Sequence, residues 1–287
     1  MYYGLIILSV VMFGGCFALN DAYRQRQGGT LRPVLQFSLI SSLAGLLVLL
    51  AANGFQLEFT MFTFILALVA SLSGFGFTFC SFKALGSINL SVFSLFSMIG
   101  GMALPFFQGI LFYGEPVTVA KLVCVAFICW ALLLTVERGK KAKGTIYYIG
   151  VFVLNGMSGV LSKLFAEAAY PKTSAAGYAI LSALCSVVIS LLLLLLFFRK
   201  PEGSRKMSFA GITLSAANGV FNRIANLILV IALTHVDASV QYPMVTGGVM
   251  IVSTLLCFFG KNKPSKREVL SVILAFIGML ALFVIPV

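Results

Sequence analysis

Residues 209–234 read FAGITLSAANGVFNRIANLILVIALT, and the fold turns on how this stretch is read. It is long and apolar enough to cross a bilayer, yet it carries Asn218, Asn222, Arg223 and Asn226. Breaking it at Arg223 to place the arginine in a loop leaves two pieces of about half the ~20 residues a spanning helix needs. The arginine therefore belongs inside one helix, about 3 Å from its midpoint at about 1.5 Å rise per residue. On a wheel of about 100° per residue, Ser215, Asn218, Gly219, Asn222, Arg223 and Asn226 fall within roughly 140°. Val220, Phe221, Ile224, Ala225, Leu227 and Ile228 fill the opposite side. The polar face cannot look at lipid.

An arginine at bilayer depth costs about 2.5–3.5 kcal/mol on insertion scales. It persists where it lines a wet cavity, binds an anion or is held in a hydrogen-bonded network. Two readings follow. Arg223 is either a substrate-site cation with flanking amides that orient a ligand, or a packing residue capped by carbonyls and asparagines of neighbouring helices.

The rest of the chain places this helix in a membrane. Sixty per cent of the 287 residues are hydrophobic, only 10% are charged, and mean hydropathy is +1.07. A soluble domain carries about 25% charged residues. In a soluble protein the net charge of +12 would point to nucleic acid. Here no soluble surface exists for such a face, and the charge instead sets topology. Cys16, Cys80, Cys124, Cys129, Cys185 and Cys257 all sit in apolar runs without a CxxC, as small core residues do. With one histidine and no carboxylate in the spans, neither a metal site nor a cofactor is expected. Met1-Tyr2-Tyr3 lacks a basic leader region and no small-residue cleavage site precedes Asp21, so the first helix is expected to be retained.

Ten apolar runs can be marked: 2–20, 33–52, 59–85, 88–113, 117–136, 145–166, 173–198, 207–234, 238–260 and 268–286. The connections are too short for a nucleotide-hydrolysing domain and no GxxxxGK[ST] occurs, which excludes ATP-driven transport by this chain alone. Sixteen of the 20 basic residues lie on the side of the odd-to-even connections, among them Arg24, Lys83, Arg138, Lys141, Arg205 and Lys266. The positive-inside rule makes that side cytoplasmic and puts both termini outside the cell membrane.

A shift of 148 residues lays ALGSINLSV (84–92) on ALTHVDASV (232–240) without gaps, with Gly100 on Gly248 and Pro116 on Pro264. Gly14 on Gly156 is a weaker match. The expected organisation is a five-helix repeat over 1–137, a basic linker over 138–144 and a second repeat over 145–287. An odd number of spans per half inverts the second repeat, which is typical of secondary transporters with a midplane site between halves.

These features resemble the ten-helix EamA-type members of the drug/metabolite transporter superfamily. The motifs that carry the resemblance are the short 86–89 connection, Gly114-Glu115-Pro116 and Gly156…Lys163. Gly260-Lys261 stands where the second half of that pattern has Gly-Glu, and Asn155 precedes Lys163 by eight positions where the small multidrug exporters carry a carboxylate. The resemblance implies a metabolite exporter or exchanger working by alternating access, and it points away from cation–proton antiport.

Other polar groups offer further candidates. Run 6 puts Asn155, Ser158, Gly159 and Ser162 on one side, where packing and substrate contact are both open. Run 9 opens with Gln241 and Tyr242. Gly156-Met157-Ser158-Gly159 matches the GxSG of intramembrane serine proteases, but the lone His235 belongs to the far end of another run, about 10 Å away in depth. A channel-like facilitator lacks a charged ring or a filter-like glycine run. The resulting expectation is an all-α polytopic membrane protein, not an enzyme. It would be a secondary transporter of small anionic or zwitterionic, carboxylate-bearing metabolites, with possible proton or ion coupling. Arg223, Asn222, Asn226, Asn218, Tyr242, Gln241, Asn155 and Ser158 are its substrate-binding candidates.

Overall fold

A computed structural model of the chain describes residues 2–114, 118–135, 145–197, 207–233, 238–259 and 263–285. Among them all regular structure is helical: α1 (Tyr2–Gln27), α2 (Leu31–Ala52), α3 (Met61–Ala84), α4 (Leu90–Tyr113), α5 (Val119–Thr135), α6 (Thr145–Glu167), α7 (Ala175–Phe197), α8 (Phe209–Leu233), α9 (Ala238–Phe259) and α10 (Lys266–Val284). Helices are what an apolar chain must form in lipid, where each backbone N–H and C=O has to be satisfied within its own segment. Six described helices, α1 to α4, α6 and α7, are long and apolar enough to cross a bilayer. The chain is a multi-pass membrane protein. The linker at 138–144 lies outside the described residues.

Local chemistry sets the helix ends. Thr60, Asn89 and Ser265 cap α3, α4 and α10 by accepting from the backbone N–H three residues on, and Ser265 with Glu268 forms a full capping box. Gly114 closes α4 in the left-handed region, at φ 64°, where a side chain would be strained. One boundary departs from the apolar pattern. Run 1 ends near residue 20, but α1 continues to Gln27 because tertiary contacts hold its polar end. Tyr23 is fully buried against Phe37 and Phe82, and its hydroxyl donates to the Pro33 carbonyl at 2.9 Å.

Eight helices close into a ring by packing in the order α1, α8, α2, α7, α3, α6, α4, α9 and back to α1. The α5–α10 pair stands outside the ring and joins it mainly through α10 against α9. Contacts between helix ends sort by connection. Gln27 donates to Ser208 and Asn89 donates to Glu268, which ties odd-to-even connections together. At the other face Ser174 donates to Glu58, and Phe62 packs on Tyr170.

Candidate functional site

Small residues bring α8 onto α1 and α2. A side-chain carbon on Gly219 would collide with the Ser41 carbonyl of α2, and one on Gly45 would lie 2.7 Å from the Arg223 Cγ. Glycine at both positions lets the arginine stem lie flat across α2. Asn218 secures the same junction: its Nδ2 donates to the Cys16 carbonyl at 2.9 Å and to Asn20 Oδ1 at 3.2 Å, and its Oδ1 accepts from Ser41 at 3.2 Å. Asn218 is therefore committed to holding α1, α2 and α8 together.

One turn further along, the same face opens. Ser215, Asn218 and Gly219 are buried, whereas Asn222 is half-buried and Asn226 exposed, although neighbouring Ala225 is completely covered. The amides of this turn are thus left less covered than those one turn earlier on the same face. Arg223 has the same character, lying deep among protein atoms while keeping accessible surface. No hydrogen bond or ion pair reaches its guanidinium among the described residues. The Tyr178 phenol on α7 interacts with it electrostatically, and the Tyr178 ring stacks on Phe165 at 4.7 Å and 15°. Asn226 Nδ2 donates to the Asn222 backbone carbonyl at 2.7 Å and to Asn222 Oδ1 at 3.3 Å, and the Asn222 Nδ2 has no partner among the described residues.

Arg223, Asn222 and Asn226 thus form one patch, as one helix face requires. Asn155 and Ser158 do not join it, since α6 packs on α3 and α4 rather than α8. Asn155 donates to the Ser97 carbonyl, and Ser158 donates into its own helix at the Asn155 carbonyl, 2.8 Å away. Asn155 is thus engaged in helix packing, while Ser158 is exposed and bonds only within α6. The side chains of Gln241 and Tyr242, and all of His235, lie outside the described residues. Sequence reading missed Tyr178, which a phenol near the end of a long apolar run gives no cause to select. It also missed Gln108 of α4, whose Oε1 is buried without a partner among the described residues.

This arrangement offers a fixed cation and amide donors to an anion, in a place where charge-assisted hydrogen bonds are short and strong. Comparison with known proteins adds the fold alone. No family model matches the chain, and no curated protein matches it. A solved structure described only as the crystal structure of a protein superposes with a TM-score of 0.64 at 20% identity, over 96% of this chain and 94% of the other. The helical arrangement is therefore shared over nearly the whole length of both chains.

Proposed function

We propose that the chain is a secondary transporter, built as ten transmembrane helices in two inverted five-helix repeats and moving small carboxylate-bearing metabolites by alternating access. The observation that carries this reading is Arg223, a cation of a ring helix with no hydrogen-bond or ion-pair partner among the described residues, beside the half-buried Asn222 and the exposed Asn226. An arginine serving only packing would be expected to spend its donors on carbonyls, as Lys172 does by donating to the carbonyls of Phe165, Ala166 and Ala168 at the end of α6.

The packing supports the repeat. Exchanging each helix for the one five places along turns α4–α6 into α9–α1, α1–α8 into α6–α3 and α2–α8 into α7–α3, and all six contacts exist. The correspondence extends to residues. Gly100 lies against Phe152 and Gly248 against Val10; Gly156 lies against Leu104 and Gly14 against Val252. Gly219 meets the Ser41 carbonyl, and its repeat mate Ser71 donates to the Ser182 carbonyl at 2.7 Å. In the 148-residue register Arg223 falls on Phe75. The cation is thus a departure from the repeat, as a recognition group added to a symmetric scaffold would be.

Purified protein should be stabilised thermally by carboxylates such as benzoate or lactate, and by zwitterions such as leucine, but not by choline. Stabilisation by choline alone would overturn the assignment of Arg223 to the site.

A further inference from the structure

Charge counting carries the reading one step further. Among the described residues the carboxylates are Asp21, Glu58, Glu167 and Glu268, all in connections or within two turns of a helix end, and none of them is placed to neutralise Arg223 at mid-depth. The deepest of them, Asp21 of α1, is already paired with Arg24 at 2.9 Å. Arg223 keeps accessible surface in this structure, so water can reach the side chain. A carrier that alternates between two faces must pass through an occluded state in which that water is largely expelled.

Resting on the transport reading above, we propose that this protein is an obligatory exchanger of organic monoanions: the empty carrier does not reorient, and the loaded one does. With an empty site the occluded state holds one uncompensated positive charge. A bound monoanion brings that charge to zero, a zwitterion leaves it at plus one, and a dianion reverses it. The positive charge slows the empty carrier about a hundredfold relative to the loaded one, equivalent to about 2.7 kcal/mol and within the range for arginine at bilayer depth. Net efflux is therefore blocked, and a carboxylate leaves only when another enters.

The test uses the full chain in liposomes held in sulfate buffer, so that no small monoanion is present outside. Labelled lactate, 4-methyl-2-oxopentanoate and benzoate are the monoanion probes, with leucine as the zwitterion and succinate as the dianion. For at least one monoanion, release into buffer containing the same unlabelled compound should exceed release into plain buffer by tenfold or more. Arg223→Gln should bring that ratio towards one, because its empty site carries no charge. Equal release in both buffers overturns the exchange inference and leaves the transport reading standing. Exchange of leucine or succinate without any monoanion overturns the charge assignment. No movement of any probe overturns the transport reading and this inference together.

Discussion

At the scale of single residues, Arg223 separates a site from a scaffold. A charge-assisted pair with a ligand carboxylate is worth about 1.5–3 kcal/mol, so Arg223→Ala should weaken binding ten- to a hundredfold. Arg223→Lys should recover part of this, since a point charge replaces a planar fork. Without ligand the alanine variant should melt at or above the wild-type temperature, because an uncompensated charge has gone. Calorimetry and a binding titration on the same variant check both halves. A clear fall in melting temperature with normal affinity would make Arg223 structural. Ser158 stands at the opposite pole. Its hydroxyl serves its own helix, so Ser158→Ala, which removes an interaction worth about 1 kcal/mol, should leave transport within a few-fold of wild type. Loss of a measurable peptidase activity in that variant would instead favour the GxSG reading.

Between elements, close approach and end contacts do most of the positioning. Gly219 faces backbone, not a movable side chain, so an added methyl must push α2 from α8. Gly219→Ala should destabilise the protein by about 1–3 kcal/mol. Gly4→Ala, with open space around it, should be silent in the same denaturation series. Glu58 ties the 53–60 connection to the start of α7. The Ser174 N–H, and after it the Ser174 hydroxyl, hold this carboxyl below the usual carboxylate range. A lowered folded value means that the stabilisation is present above the unfolded value of about 4.3 and is lost as pH falls through the folded value. Glu58→Gln should therefore melt below wild type at pH 7, and the two curves should converge in acid. A gap that persists unchanged at low pH would mean that the carboxylate's charge does not stabilise this clasp.

For the whole molecule the testable property is orientation. The helix-end contacts sort connections into two faces, and the positive-inside rule predicts that the one with sixteen basic residues is cytoplasmic. A reporter fused after Val287 that works only outside the cytoplasm should be active, and a cysteine at Lys141 should resist impermeant thiol reagents in intact cells. Labelling at that position would invert the topology. The outer α5–α10 pair joins the ring mainly through α10 against α9.

The sequence by itself determined the helices and the polar face of α8. Lipid forces apolar runs into self-satisfied helices, so run lengths gave the boundaries to within a few residues almost everywhere. The exception was the end of α1, where Tyr23 is held by residues of other helices. Grouping on one helix face was equally legible, because Asn222, Arg223 and Asn226 are neighbours on any α-helix. Which polar residues share a cavity was not legible, since that depends on which helices touch. Asn218 and Asn222 differ by one turn and carry the same side chain. Only the approach of α1 and α2 ties Asn218 into the junction and leaves Asn222 open. Asn155 and Ser158 belong to a different patch, because Asn155 donates to the Ser97 carbonyl of α4 and Ser158 bonds within α6. Tyr178 entered because α7 and α8 both pack against α2, a coincidence in space that no spacing along the chain encodes.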